Sequence, residues 1–252
     1  MALPKVSTPT YDLKIPSTGK NVSYRPYVTK EEKALLLAQE VGNDRSVLLS
    51  LKSLIEACFE DIKDASKLTT FDFEYLFLNL RAVSVGEKVS PQFTCDQELD
   101  EVDESGNLKK CERLLGFEVN FAELTPQAKE GHNTKIVVSE KDNIGIQMKY
   151  PTLGLLLDQE KRLKNASDTE VAFDTIINCI EFIYDEENTY NAKDSTREEL
   201  VEFIESLPTN SMEKIESEFF DSMPTIKLSK EIVCPSCGHV HKIDLGGIQD
   251  FF

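Results

Sequence analysis

Hydrophobic and polar positions alternate at two different periods along this chain, and the changes of period mark its elements. Tyr11-Asp-Leu-Lys-Ile15 alternates, breaks at Pro16-Ser-Thr-Gly19 and resumes as Asn21-Val-Ser-Tyr-Arg25 before Pro26, which predicts a β-hairpin with a short loop. From Thr29 the period lengthens. Thr29-Lys-Glu-Glu32 has the form of a capping box, opening a helix through Ala34-Leu-Leu-Leu-Ala38 to about Val41. Asn43 or Asp44 can cap a second helix, in which Val47, Leu48, Leu51, Leu54, Ile55, Cys58 and Ile62 recur at three- and four-residue steps and make one apolar face. Phe71, Phe73, Tyr75, Leu76, Phe77, Leu78 and Leu80 leave a third helix apolar on most sides until Gly86 stops it, so it belongs at a centre.

Between Val89 and Tyr150 the pattern turns to β, with strands expected at residues 92–95, 114–121, 135–139 and 144–149. An acidic loop, residues 96–110, carries Ser105-Gly-Asn107 and is expected to project into solvent. After Pro151 the helical period returns over residues 153–163 and 169–184, the second with Val171, Phe173, Ile176, Ile177, Ile180 and Ile183 on its buried face. Ser195-Thr-Arg-Glu198 and Asn210-Ser-Met-Glu213 each have capping-box spacing and open short helices ending near Leu207 and Phe220. Residues 225–245 return to β. The expected fold class is therefore α+β, mostly helical, with a small antiparallel, zinc-ribbon-like module joining the middle to the C-terminus. It divides into residues 1–88 (hairpin and helices), 89–150 (β-rich insertion), 151–224 (helices) and 225–252 (a terminal hairpin packing on 89–150), as one or two compact domains.

Charge narrows the function. Asp and Glu number 45 against 28 Lys and Arg, a formal net charge of -17, so the summed field repels phosphate backbones and anionic lipid. Nucleic acid and membrane surfaces are excluded as expected partners. No apolar stretch at residues 1–20 resembles a signal peptide, and no apolar run reaches the roughly 18 residues of a membrane-spanning helix, so a soluble, non-exported protein is expected.

Six cysteines carry the chemistry. Val233-Cys-Pro-Ser-Cys-Gly-His239 has the form of a zinc knuckle: two thiolates three positions apart on a tight turn, with a proline presetting φ and a glycine where the backbone curls towards sulfur. Tetrahedral Zn²⁺ wants four ligands. Cys58 and Cys179 lie on apolar helix faces, where a free cysteine behaves as a small hydrophobe. Cys95 ends one expected strand and Cys111 precedes the next, so a hairpin would bring both thiols together despite the fifteen residues between them. Cys95, Cys111, Cys234 and Cys237 are thus the candidate metal ligands. Two alternatives stay open: a Cys-x-x-Cys redox pair, which should open a helix rather than precede the β-prone residues 240–243, and His239 or His241 in place of one distant cysteine. Four thiolates leave no coordination position for water, which makes the zinc structural.

A catalytic constellation is not expected. The three histidines, His132, His239 and His241, accompany no Gly-x-Ser-x-Gly elbow. Ser17-Thr-Gly-Lys20 lacks the first glycine of a phosphate loop and reads as a hairpin turn. Asp185-Glu-Glu187 and the acids of residues 100–104 miss the calcium-loop spacing. Arg81, Ser84 and Glu87 share one side of a helix end, where capping is the favoured role.

Several segments together resemble the baseplate proteins of T4-type bacteriophages, the hub assembly proteins of contractile tails. They are Leu13-Lys-Ile-Pro-Ser-Thr-Gly-Lys20, Tyr24-Arg-Pro-Tyr-Val-Thr-Lys-Glu-Glu-Lys-Ala-Leu-Leu-Leu-Ala38, Phe73-Glu-Tyr-Leu-Phe-Leu-Asn-Leu-Arg-Ala-Val-Ser-Val-Gly-Glu87, Met148-Lys-Tyr-Pro151, Cys179-Ile-Glu181 and the terminal Cys-x-x-Cys with Phe251-Phe252. The resemblance implies a non-enzymatic tail morphogenesis factor, hub component or chaperone. It would bind other baseplate hub or tail proteins in the host cytoplasm or in the virion tail baseplate. The competing expectation is an acidic zinc-ribbon adaptor that binds a host protein. Residues 96–104 and Phe251-Phe252 are the candidate contact surfaces.

Overall fold

The computed structural model describes residues 6–40, 42–102, 106 and 108–247 and shows an α+β protein. Val41, Asp103, Glu104, Ser105, Asn107 and Phe251-Phe252, which figure in the expectations above, lie outside the described residues. Strands β1 (Tyr11–Lys14) and β2 (Asn21–Tyr24) pair antiparallel, Lys14 opposite Asn21, and Gly19 supplies the left-handed residue (φ +68°) of their turn. Helices α1 (Thr29–Glu40), α2 (Asp44–Cys58) and α3 (Thr70–Val85) follow. The Ser17 N–H donates to Asp72 at 3.0 Å and its hydroxyl donates to the same carboxylate, pinning the hairpin turn on the start of α3. That is the work of the Ser-Thr-Gly-Lys stretch.

The capping of α1 departs from expectation. Glu31, not Glu32, reaches back to the Val28 N–H at 2.7 Å, because Arg25 holds that carboxylate at 2.7 Å. Asn43 caps α2 through the Arg45 N–H, and Thr69 caps α3. Leu51, Leu54 and Ile55 of α2 meet Leu76, Phe77 and Leu80 of α3 in the first core, over which Tyr24 stacks on Phe59 at 4.9 Å.

Six short strands then make one long arm: β3 (Lys88–Val89), β4 (Gln92–Thr94), β5 (Glu98–Val102), β6 (Leu108–Lys110), β7 (Leu114–Gly116) and β8 (Val119–Asn120). They pair in nested fashion, β3 with β8, β4 with β7 and β5 with β6. The expected single strand 114–121 is broken at Phe117-Glu118, where the chain turns its base onto the first core through Val119 and Phe121.

The second core lies under a four-stranded antiparallel sheet in the order β12-β11-β10-β9. Its strands are β9 (Lys135–Ser139), β10 (Ile144–Met148), β11 (Ile180–Tyr184) and β12 (Thr189–Asn191), with α4 (Leu153–Arg162) and α5 (Asp168–Cys179) between β10 and β11. The expected helix 169–184 is corrected here. Of its last five residues, Ile-Glu-Phe-Ile-Tyr, four are β-branched or aromatic, and pairing with β10 captures the segment as a strand. Phe173 is correspondingly exposed, and Asp174 takes the inward position.

Helices α6 (Arg197–Glu205) and α7 (Thr209–Ile215) cover the sheet, a π-helical turn over Glu216–Phe220 prolonging α7. The capping box of α6 is Thr196 with Glu199, one residue later than expected. No side chain caps α7; Ser211 instead turns inward and donates to the Val138 carbonyl at 2.7 Å. The last hairpin, β13 (Lys227–Val233) with β14 (Val240–Gly246), rests its base on the first core through Ile226, Leu228 and Leu245. No helix among the described residues is long and apolar enough to cross a membrane.

Candidate metal centre

Two hairpin tips meet at the cysteines, and they are built to one plan. In the C-terminal hairpin the Cys234 N–H donates to the His239 carbonyl at 2.8 Å and the Gly238 N–H to the Cys234 carbonyl at 2.9 Å. In the central arm the Cys95 N–H donates to the Arg113 carbonyl at 2.8 Å and the Glu112 N–H to the Cys95 carbonyl at 2.9 Å. Each bond joins equivalent positions counted from the cysteines. The strand registers agree as well, Thr94 opposite Leu114 and Val233 opposite Val240. Both turns also need a left-handed residue after the second cysteine, Gly238 at φ +75° and Glu112 at φ +52°. The β5–β6 hairpin is thus accommodated between Cys95 and Cys111 without altering the turn geometry.

Facing each other, the tips bring the sulfurs of Cys95, Cys111, Cys234 and Cys237 within 4.8 Å of one another. The short separations cross between hairpins: Cys95 Sγ to Cys237 Sγ is 3.7 Å and Cys111 Sγ to Cys234 Sγ is 3.6 Å. A disulfide would need about 2.05 Å. Four sulfurs at about 2.3 Å from one tetrahedral Zn²⁺ would lie about 3.8 Å apart, so the donor set fits that ion. Cys95 and Cys234 are fully buried, and Cys111 and Cys237 partly so.

Backbone N–H groups aim at the sulfurs. Burial, the largest influence on Cys234, disfavours its thiolate, but the N–H groups of Cys237 and Ser236 and the neighbouring thiols outweigh it and bring the thiol down to about 6. Burial pushes Cys95 up to about 12, against the N–H of Gln97. At Cys111 the N–H of Arg113 is the strongest single influence and favours the thiolate; burial and the thiols of Cys234 and Cys237 together prevail and raise it. The donor set is soft sulfur, the ligand type of thiolate metal binding.

Cys58 and Cys179 lie apart, buried in the two apolar cores, and burial pushes them up to about 11 and about 12. His239 and His241 are next to the cluster without joining it; His241 Nε2 lies 3.1 Å from Cys95 Sγ, and His239 packs on the His241 ring. His132 is remote. Its Nε2 lies 2.8 Å from the Tyr150 hydroxyl and its Nδ1 2.9 Å from the Ser222 hydroxyl, hydrogen bonds that join the 127–133 connection to the second core.

Ser84 accepts the Tyr27 N–H at 3.0 Å and Arg81 lies 4.8 Å over the Phe121 ring, so this helix end is engaged in structural contacts. Asp185 accepts the N–H groups of Glu187 and Asn188 as a turn, and the β5–β6 acids are exposed where described. One polar centre was missed from the sequence. Asp174, buried on α5, accepts from Gln159 at 2.8 Å, Arg162 at 2.7 Å and Arg197, tying α4, α5 and α6 together. A lone carboxylate at the i+3 step between Val171 and Ile177 was the available signal.

A family model described as T4 bacteriophage base plate protein matches residues 8–252. Among curated proteins, the baseplate hub assembly protein gp26 of Enterobacteria phage T4 is 24% identical over 245 residues, which cover 96% of this chain and 96% of that protein. No solved structure matches the chain.

Proposed function

The chain belongs to the T4 bacteriophage base plate protein family, and from that premise we propose that it is a baseplate hub assembly factor that works by binding other baseplate hub or tail proteins. The observation that carries this reading is the end-to-end match to a hub assembly protein, 96% of both chains. An adaptor that borrowed only a zinc ribbon would share the cysteine hairpins and not the helical body, so the host-protein reading draws less support. The net charge of -17 favours protein partners over nucleic acid or lipid. The role is non-catalytic in this reading and is exercised in the host cell while tails are assembled.

Cys95, Cys111, Cys234 and Cys237 would hold a structural Zn²⁺ and make the two hairpins a zinc-ribbon-like clasp. The ion would supply a cross-link between distant parts of the chain, and four thiolates leave it no open position for chemistry. Residues 1–88, 89–150, 151–224 and 225–252 then act as parts of one body, because β10 pairs with β11 across position 150 and the terminal hairpin rests on the first core.

The test is affinity capture of the tagged chain from infected cells during tail assembly. Baseplate proteins are the expected co-purifying species, and their absence would refute the reading. Mass spectrometry of hub intermediates and finished tails then separates a chaperone, present only in intermediates, from a component, present in both.

A further inference from the structure

We propose that His241 is a positioning residue of the metal centre, its Nε2–H donating a hydrogen bond to the Cys95 sulfur. The inference rests on the reading that the four cysteines hold a metal. It starts from the equivalence of the two tips. Phe93 pairs with Leu115 and Ile232 pairs with His241, so Leu115 and His241 occupy the same place, four residues past the second cysteine of each hairpin. Leu115 is a buried packing residue there. A leucine therefore satisfies the fold at this position, and a histidine adds something a leucine lacks.

What it adds is a donor. His241 Nε2 lies 3.1 Å from Cys95 Sγ, and a metal-bound thiolate offers only lone pairs, so Nε2 carries the hydrogen. The spacing also separates donor from ligand. A nitrogen and a sulfur bound to one tetrahedral zinc at about 2.05 and 2.3 Å would lie about 3.6 Å apart, half an ångström farther than observed. The ring is held in place by the edge-on contact with Phe93 at 5.2 Å and by His239 at 4.7 Å. Four thiolates around Zn²⁺ leave a surplus of two negative charges in a chain already at -17, and a side-chain N–H on one sulfur disperses part of it.

Zn²⁺ affinity of the full-length chain is measured by competition with a chromophoric chelator, and the Co²⁺ form by its thiolate-to-metal absorption. His241→Leu, which copies Leu115, is expected to weaken Zn²⁺ binding 10- to 100-fold. Its Co²⁺ spectrum should retain four-thiolate intensity with a shifted band. His241→Gln, which returns an N–H near the same sulfur, should recover most of the affinity. Equal affinity and spectrum in His241→Leu overturn the proposal. A three-thiolate spectrum of the unaltered chain overturns it in favour of His241 as a ligand. Failure of the unaltered chain to bind metal overturns the underlying metal reading together with it, and is distinguishable because it appears before any variant is compared.

Discussion

The β9–β12 sheet buries Ile136, Ile146, Met148 and Ile180 beneath α5, α6 and α7, each at 0–1% exposure, while among the described residues the hairpin tips at the cysteines bury only Cys95, Leu115 and Cys234. Both regions are antiparallel β structure. Each large aliphatic side chain removed from water contributes about 1.5–3 kcal/mol, so the sheet closes on apolar burial. One leucine cannot do the same for two hairpin tips, and without a sufficient core small modules use a metal or disulfides. The difference teaches where a cross-link would be needed: at the tips, since the hairpin bases already rest on the first core through Val119, Ile226 and Leu245.

Metal removal gives the largest contrast. Structural zinc contributes apparent free energies of about 10–16 kcal/mol in zinc-finger peptides, and here it would be the main term holding the tips together. Chelation, or Cys234→Ser, is expected to abolish slow amide exchange at Gly238 and Cys95, whose N–H groups are hydrogen-bonded within the tips, fraying the C-terminal hairpin from its tip, while β10 and β11 keep their protection. Ile146→Ala should do the reverse, costing about 2–5 kcal/mol in the sheet and leaving metal affinity unchanged. Slow exchange at Gly238 in the Cys234→Ser chain would remove the contrast.

Acid should separate the regions by a smaller margin. Burial, the largest influence on Asp174, works to raise its carboxyl, but Arg162, Gln159 and Arg197 together hold it below the usual carboxylate range. A folded value below the unfolded one contributes stability that is fully present above the unfolded value, about 3.9, and is lost as pH falls through the folded value. The sheet half should therefore begin to weaken only below about pH 4, whereas a metal held by the thiolate centre would be released to protons at higher pH. Asp174→Asn is expected to cost about 1–3 kcal/mol at neutral pH and to flatten the acid limb. An unaltered acid limb in circular dichroism melts would show that Asp174 has no such linkage.

The same comparison explains what the sequence could and could not reveal. The meeting of the four cysteines was legible from the Cys-x-x-Cys spacing and from the strands expected on either side of Cys95 and Cys111, and Cys58 and Cys179 were separable by helical spacing alone. The α1–α3 core was legible because Leu51, Leu54, Ile55 and Leu76 recur at helical steps. Local pattern failed where a distant partner decided the outcome. Ile180–Tyr184 continues the apolar spacing of α5, and only its pairing with β10 makes it a strand. Capping at Thr196 and Val28 depended on which of two adjacent glutamates could reach the backbone. The partners of Asp174 are brought together from α4 and α6, and no local rule links them.

The smallest effect tests whether the two tips are equivalent. After the second cysteine both place a residue in the left-handed region, where a non-glycine residue costs roughly 1–2 kcal/mol. Gly238 meets that requirement and Glu112 does not. A Cβ built on Gly238 would meet nothing within 4 Å, so the cost of Gly238→Ala is backbone strain alone, about 1–2 kcal/mol. Glu112→Gly should relieve up to a similar amount in the other tip, partly offset by about 0.5–1 kcal/mol of added freedom in the unfolded chain. The expected pair of results is a loss of several-fold in Zn²⁺ affinity for Gly238→Ala and a small gain for Glu112→Gly, read by chelator competition. If both substitutions weaken binding, Glu112 contributes through its side chain and the two turns are equivalent in hydrogen bonding but not in energy.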